Sequence, residues 1–411
     1  MKKSVLRKYA KLIAVMGVNI RKGQEVVISA ELDQPEFVKI LVDECYKAGA
    51  GKVTVEWTYQ PLEKLHVRHR SLKTLSTVEK WEEEKLKHTV EVLPCKILLL
   101  SEDPDGLNGI NQEKMAKGHQ NRYKIIKPYR DMTEGKQQWC IAAVPGKAWA
   151  KKVFPELRAS QAVEKLWEAI LYTSRVSEDS DPIENWKNHN AELHSRCAYL
   201  NSLDIEELHY TASNGTDFTV GLIPEAQFCG GSEETVADTV YNPNIPSEEC
   251  FTSPMKGKAD GIVYSSKPLS YQGQLIDNFS ITFKDGKAVE CKAEKNEELL
   301  KKLIAMDEGS AYLGECALVP YDSPIRNSEI LFYNTLFDEN AACHLALGTG
   351  FLECIKDYHN HTLEEAHQMG VNDSMVHEDF MIGTADLSIS AKCRDGKTVM
   401  IFKDGNWAFD V

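Results

Sequence analysis

Glu25-Val26-Val27-Ile28-Ser29-Ala30 is the stretch that best indicates how the first part of this 411-residue chain folds. It is short and apolar, as expected of a buried strand. Residues 4–17 before it and residues 35–48 after it carry apolar side chains at helical spacing. A second strand-like run follows at residues 52–57. The order from the N-terminus is therefore helix, strand, helix, strand.

This alternation continues toward the middle of the chain. Strands are predicted at residues 96–101 and 138–144, and helices near residues 77–88, 147–153 and 160–172. Strands that alternate with helices predict an α/β domain with a mostly parallel sheet and helices on its faces. Gly-x-Gly-x-x-Gly and Walker motifs are absent, so nucleotide binding is not supported. We expect a scaffold or gating domain rather than a catalytic one.

A polar, acidic run separates this domain from the next. Ser177-Glu178-Asp179-Ser180-Asp181-Pro182 predicts a boundary between an N-terminal domain at residues 1–181 and a C-terminal domain at residues 182–411. Tight turns between strand-like runs are predicted at Asn214-Gly215, Asp285-Gly286, Asp395-Gly396 and Asp404-Gly405. Helices are expected at residues 182–202 and 296–306. The C-terminal domain is therefore predicted to be α+β and rich in antiparallel strands.

Composition narrows the classes of partner. The formal net charge of −14 argues against binding to nucleic acid or to an anionic membrane. No apolar run approaches the roughly 20 residues that a membrane helix needs, and the basic start lacks a signal-peptide core. Eleven scattered cysteines without a Cys-x-x-Cys pair indicate reduced thiols. We expect a cytoplasmic protein.

Five residues of the C-terminal domain form a candidate metal-binding set. They are Glu249, Glu315, His344, His377 and Asp379. Carboxylates and imidazoles together suit divalent cations. In an extended segment His377 and Asp379 would share one face while Glu378 points away.

Each of these residues also has an ordinary structural interpretation. Glu248 and Glu249 could belong to a solvated acidic loop. Glu315 could pair with Arg326 or point outward from an edge strand, and His344 could be a structural histidine on or beside a helix. No HExxH, Gly-x-Ser-x-Gly or zinc-ribbon spacing is present, so spacing alone leaves the metal site open.

Four blocks around these residues resemble the thermophilic-type metallo-aminopeptidases, the group of aminopeptidase T, aminopeptidase S and PepS. The blocks are NPNIPSEECFTSP at residues 242–254, GECALVP at 314–320, NTLFDENAACH at 334–344 and SMVHEDFMIG at 374–383. The similarity covers nearly the whole chain.

The resemblance implies a metallo-exopeptidase that releases N-terminal amino acids from peptides with a free N-terminus. It also implies a two-domain protomer in a homodimer and a water activated by two divalent metal ions per chain, with Zn, Co or Mn all suitable. The metal ligands of the family fall on Glu249, Glu315, His344, His377 and Asp379, and either Glu315 or Glu249 would bridge the ions. Glu248 is the candidate general base, because it neighbours a ligand without being one.

One position departs from the family pattern. The family typically has a tyrosine seven residues after its first histidine ligand, and Phe351 stands there in this chain. A phenol can donate a hydrogen bond to a developing oxyanion, whereas phenylalanine cannot. Either another group, such as Tyr358 or Tyr321, substitutes for it, or the activity is directed at unusual substrates, or the protein is a catalytically weak or inactive relative that binds metal and peptide without efficient turnover.

Overall fold

The computed structural model describes residues 1–411, which their contacts divide into two compact units. The first unit comprises Met1–Asn188 and Ser232–Pro246, and the second comprises His189–Gly231 and Ser247–Val411. The domain boundary after residue 181 stays a prediction. The boundary between the two units lies a few residues later, after Asn188, and residues 232–246 also belong to the first unit. No helix of the chain combines the length and the apolar character needed to cross a membrane.

Thirteen α-helices occur along the chain. They are α1 (Lys3–Leu12), α2 (Pro35–Ala48), α3 (Gln60–His69), α4 (Leu72–Ser76), α5 (Lys80–Val92), α6 (Gln112–Thr133), α7 (Lys147–Val153), α8 (Ala159–Thr173), α9 (Pro182–Ser202), α10 (Glu297–Ile304), α11 (Pro324–Asn327), α12 (Thr335–Asp338) and α13 (Leu363–Met369). Sequence periodicity did not indicate α3, α4 or α6. The 22-residue α6 buries only Met115, Gly118 and Thr133, so it has no apolar face that a pattern could show.

Twenty β-strands accompany the helices. They are β1 (Glu25–Glu31), β2 (Lys52–Thr58), β3 (Cys95–Leu100), β4 (Trp139–Ala143), β5 (Ile205–Thr211), β6 (Asp217–Leu222), β7 (Glu233–Glu234), β8 (Val240–Tyr241), β9 (Asn244–Ile245), β10 (Cys250–Thr252), β11 (Pro254–Tyr264), β12 (Leu269–Tyr271), β13 (Gln274–Lys284), β14 (Lys287–Lys295), β15 (Leu313–Leu318), β16 (His344–Gly348), β17 (His377–Met381), β18 (Ser388–Cys393), β19 (Thr398–Lys403) and β20 (Asn406–Trp407).

The main sheet of the first unit is parallel throughout. Its strand order is β2-β1-β3-β4-β9, and every neighbouring pair in it is parallel. Val26, Ile28 and Ala30 of the central strand β1 are buried, as the apolar run predicted. The last strand, β9, comes from the segment that returns to this unit late in the chain. The predicted α/β class is confirmed.

Antiparallel sheets dominate the second unit. One has nine strands, in the order β12-β13-β11-β6-β5-β18-β19-β20 with β14 beside β13, and the other has the order β10-β15-β16-β17. At the turn between β13 and β14, Asp285 has φ 50° and Gly286 has φ 80°. This left-handed backbone is what an Asp-Gly turn supplies in a tight hairpin. The predicted antiparallel α+β class is confirmed.

The four-stranded sheet has one apolar face. Its residues Cys316, Leu345, Leu347 and Phe380 are buried in the main hydrophobic core of the second unit. Because side chains alternate between the two faces of a strand, the residues between them must point to the opposite face. That opposite face carries the predicted metal ligands.

Candidate metal centre

Strand register brings four of the predicted ligands onto one face of the four-stranded sheet. Ala346 of β16 lies opposite Glu315 on one side and Asp379 on the other. Two residues away on β16, His344 shares the face of Ala346, and His377 shares the face of Asp379. The small side chain of Ala346 leaves room for the two carboxylates that flank it. His344 thus begins a strand, whereas the sequence placed it on or beside a helix.

Glu249 joins this group from the start of β10. Phe251 pairs with Ala317, and Cys250 belongs to the apolar core, so Glu249 falls on the face of Phe251. The Oε2 atom of Glu249 lies 3.1 Å from His344 Nε2. All five predicted ligands therefore converge, although they come from four separate parts of the sequence.

The carboxylate of Glu315 stands between the two histidines. Its Oε1 lies 3.8 Å from His344 Nε2, and its Oε2 lies 3.1 Å from His377 Nε2. Asp379 Oδ1 lies 3.4 Å from His377 Nε2 and 4.0 Å from His344 Nε2. Two groups of three ligands result, Glu249–Glu315–His344 and Glu315–His377–Asp379, and Glu315 belongs to both.

Backbone carbonyl groups fix the orientation of both imidazoles. His344 Nδ1 lies 3.1 Å from the Ala342 oxygen, and His377 Nδ1 lies 2.8 Å from the Thr349 oxygen. A carbonyl oxygen only accepts, so each Nδ1 donates a proton. Each Nε2 then faces the carboxylates, which is the arrangement of histidines that ligate a metal.

Burial makes the negative charge of this cluster costly. Burial raises the pKa of Glu315 to about 7, and burial followed by the charge of Asp379 raises the pKa of Glu339 well above its usual range. Burial opposes protonation of His344, but the surrounding carboxylates, with Glu249 first, outweigh it and raise its pKa to about 9. The cluster therefore holds more carboxylates than the two imidazoles can neutralise.

Asp379 supplies a direct test of whether these residues fit a cation. Its Oδ1 is buried and accepts no hydrogen bond in the protein. A buried carboxylate oxygen without a donor is costly unless a cation satisfies it. The donor set of carboxylates and imidazoles, and the separations among them, thus fit divalent metal ions.

Glu248 is buried beside the ligands, with 7% of its surface exposed. Its backbone N–H donates to Asn340 Oδ1 at 2.6 Å, and its Oε2 lies 3.9 Å from His189 Nε2. The interpretation of Glu248 and Glu249 as a solvated loop is therefore wrong. The alternative pairing of Glu315 with Arg326 is not formed either, since the Arg326 guanidinium donates to the Tyr321 hydroxyl at 2.6 Å.

Glu339 is an acidic residue of this site that the sequence did not single out. It is buried, and the charges that act on it are chiefly those of Asp379, Glu249 and Glu315. Asn340 Nδ2 donates to Glu339 Oε1 at 3.3 Å, so one amide contacts both Glu248 and Glu339. Its position directly after Asp338 and five residues before His344 was the only available signal.

Phe351 lies where the family tyrosine was expected, beside a predicted ligand. Its ring centre is 4.8 Å from that of His377 and 5.7 Å from that of Phe251. Of the two tyrosines suggested as substitutes, Tyr321 already binds Arg326 through its hydroxyl. Tyr358 stacks on His359 and packs against a small cluster that includes Ile355.

Comparison with known proteins identifies the family of this chain. The thermophilic metalloprotease (M29) family matches residues 2–407. The chain is 41% identical over 405 residues to aminopeptidase AmpS of Bacillus subtilis and 40% identical over 407 residues to aminopeptidase 2 of Geobacillus stearothermophilus. These matches cover 98% and 99% of this chain and 98% of each relative.

The structure is likewise similar to that of wild-type AmpT from Thermus thermophilus. The TM-score is 0.89 at 35% sequence identity, and the match covers 99% of this chain and 100% of AmpT. The predicted resemblance to metallo-aminopeptidases is confirmed. The chain therefore belongs to the thermophilic metalloprotease (M29) family and is a metallo-aminopeptidase, a hydrolase that depends on a divalent metal.

Proposed function

We propose that this protein releases N-terminal amino acids from peptides by means of two divalent cations held in the cluster described above. The observation that supports two cations rather than one is the position of Glu315, whose two oxygens face different histidines. One cation would take Glu249, Glu315 and His344, and the other would take Glu315, His377 and Asp379. Glu315, which belongs to both groups, would then be the shared carboxylate in preference to Glu249.

The ligand set supports Zn, Co or Mn, because imidazole and carboxylate suit all three. Bound there, the cations would supply a water molecule of lowered pKa and polarise the scissile carbonyl group. The protein supplies orientation, since the Ala342 and Thr349 carbonyls fix the two imidazoles. It also supplies a largely buried site, in which electrostatic interactions are stronger than in water.

Glu248 is the proposed general base, which would take the proton from the attacking water and pass it to the leaving amine. Its burial and its fixed backbone, bonded to Asn340, support this role. Glu339 is the runner-up, because its charge interacts directly with those of the ligands.

Substitution by glutamine separates these two acids. We expect Glu248→Gln to lower kcat by about 10²- to 10⁴-fold, the usual contribution of a general base, with the metal content unchanged. Glu339→Gln should have the smaller effect on kcat. Loss of bound metal in Glu248→Gln would make this residue a ligand, and a larger loss of kcat in Glu339→Gln would transfer the role to Glu339.

The substrate is proposed to be a peptide with a free N-terminus. Glu248 and Glu339 are acidic groups beyond the five proposed ligands, and such a surplus of negative charge attracts an α-ammonium group. Phe251 and Phe351 form an apolar wall beside His377 that a substrate side chain could contact. From the family resemblance we also propose a homodimer. From the cysteine usage we propose a cytoplasmic location, and from the net charge and the lack of a long apolar run we propose that neither nucleic acid nor a membrane is a partner.

The decisive experiment uses metal-stripped protein resupplied with Zn, Co or Mn. A panel of aminoacyl-arylamides and short peptides is then assayed for release of the first residue. We expect metal-dependent release from free N-termini and none from N-acetylated peptides. Stoichiometric metal binding without turnover across the panel would instead identify a weak or inactive relative, the alternative that Phe351 raises.

A further inference from the structure

The first unit contains a cavity of about 450 Å³ at the carboxyl ends of its parallel strands. Residues that follow β1, β2, β3 and β4 all line it, among them Asp33, Tyr59, Ser101 and Lys147. Strand β1 has β2 on one side and β3 on the other, so the connections on its two sides diverge. In open parallel sheets, ligands bind at this switch point, outside the carboxyl ends of the strands.

Both signs of charge line this cavity without neutralising each other. Lys64, Arg68 and Lys147 supply positive charge, and none of them forms an ion pair in the structure. Glu31, Asp33 and Glu102 supply negative charge at the same cavity. Opposite charges that share a cavity but remain apart leave space for a ligand that carries both.

The acidic side of the cavity is held rigidly. Glu31 is buried and accepts hydrogen bonds from Thr58 Oγ1 at 3.0 Å and from the Gln60 N–H at 3.2 Å. The Gln60 side-chain amide donates to the Asp103 carbonyl oxygen and accepts from the Asp103 N–H, both at 3.0 Å. Ser101 Oγ donates to Asp33 Oδ1 at 3.3 Å. The carboxylates are therefore in place before a ligand arrives, which lowers the entropic cost of binding.

The basic side is a helical face with apolar neighbours. Lys64 and Arg68 are four residues apart on α3, so they lie on the same side of that helix. Tyr59 and Leu65, exposed by 48% and 44%, also line the cavity. Exposed apolar side chains beside a charged cavity favour a ligand with an apolar part.

We propose that this cavity binds a free amino acid or a short peptide with an apolar side chain. The α-carboxylate would lie against Lys64 and Arg68, and the α-ammonium group would lie against Asp33 and Glu31. A phosphate or nucleotide is disfavoured by the carboxylates, and a divalent cation is disfavoured by the three unpaired basic groups. Every lining residue belongs to the first unit, whereas the proposed metal ligands belong to the second.

The biological role of this cavity rests on the proposed function, because free amino acids are products of that reaction. An amino-acid site in the first unit would respond to product concentration. Binding at the cavity does not itself require hydrolysis, so the two proposals can fail independently.

The test is calorimetric titration of the metal-loaded, full-length protein with L-leucine. We expect a binding event that the double variant Lys64→Ala/Arg68→Ala weakens about tenfold or more, the size of a lost charge-assisted hydrogen bond. N-acetyl-leucine, which lacks the ammonium group, and leucinol, which lacks the carboxylate, should not produce this event. The kcat/KM for a leucine arylamide should stay within about twofold of the original value, since Lys64 and Arg68 belong to the first unit and the proposed metal ligands all belong to the second.

A matched control and a second variant keep the result interpretable. Lys39→Ala/Lys73→Ala removes two exposed helical lysines of the same unit and should leave leucine binding unchanged. Lys147→Ala, at the start of α7, should weaken binding as well. Circular dichroism should show that all variants are folded.

Two outcomes overturn the cavity proposal. One is leucine binding that is equal in the original protein, in both cavity variants and in the control. The other is a double variant that no longer binds inorganic phosphate or Mg²⁺ but still binds leucine as the original protein does. Absence of hydrolysis together with leucine binding that depends on Lys64 and Arg68 would contradict only the proposed function.

Discussion

Two groups of acidic residues, one in each unit, lie in contrasting surroundings. In the first unit, acids such as Glu25, Asp43 and Glu82 lie at or near the surface and pair with basic side chains. In the second, Glu249 and Glu315 are buried, and only two histidines accompany the cluster to which they belong. Solvent and basic side chains stabilise the first group, whereas the second group has more carboxylates than its two histidines can neutralise and requires a cation.

The comparison shows why burial, more than residue type, separates a functional acid from an ordinary one. A surface ion pair contributes little, because water already solvates both charges. A buried carboxylate without a partner is costly and is retained where it binds something. Each prediction below tests how far this contrast between the units extends.

Replacing the shared carboxylate should have the largest effect. We expect Glu315→Gln to reduce bound metal and to lower kcat/KM by roughly a thousandfold or more. Even the loss of a residue that only orients a metal ligand typically lowers activity or metal affinity about 10- to 100-fold. Metal analysis and arylamide hydrolysis measure both changes. Glu294→Gln, at an exposed position of the same unit, is the control and should change neither. Full metal content in Glu315→Gln would contradict a bridging role.

Restoring the family tyrosine should have the next largest effect, in the opposite direction. Phe351 packs against His377, so a hydroxyl at its ring tip would extend from a position next to the proposed ligands. We expect Phe351→Tyr to raise kcat by about tenfold to a hundredfold, since one oxyanion donor contributes on that order. Steady-state kinetics on the peptide panel measures this change. An unchanged kcat would show that another group already supplies the donor.

Removing the metal should destabilise the second unit selectively. A ligand at a hundred times its Kd adds about 2.7 kcal/mol to stability, and chelation also leaves the buried carboxylates to repel one another. Hydrogen exchange after chelation should therefore accelerate in β15, β16 and β17 and stay unchanged in β1 and β3. Equal acceleration in both units would remove the contrast between them.

A surface acid of the first unit should matter least. Lys52 and then His88 lower the pKa of Glu25, with nitrogen–oxygen distances of 3.0 and 3.2 Å. Because the pKa of Glu25 is lowered in the folded state, its ionised carboxylate stabilises the fold at pH values above the pKa of the unfolded state. This stabilisation is lost as the pH falls through and below about 4. We expect Glu25→Gln to cost at most about 1 kcal/mol at pH 7 by urea denaturation. A larger loss would mean that surface acids also carry stability here.

The helices and strands with clear patterns could be predicted from sequence. The apolar runs at β1 and β3 and the amphipathic helix α2 were indicated because burial imposes a period on the sequence. The polar helix α6 was not, since it buries few residues. The two-residue strand β9 was not either, because its pairing with β4 depends on a contact about a hundred residues distant in sequence.

The metal centre likewise has features that could be predicted from sequence and features that could not. The five proposed ligands could be singled out from the sequence, because their motifs are distinctive and resemble those of a known family, and the alternation of a strand placed His377 and Asp379 on one face. The three-dimensional structure was needed to show that Glu315 stands between the histidines, that Glu339 joins the cluster and that Asp379 Oδ1 accepts no hydrogen bond. These facts depend on the register of β15 and β17 against β16, which a local pattern does not specify. Residue type determines which chemistry is available. The packing of distant segments determines which groups lie in contact and whether water reaches them.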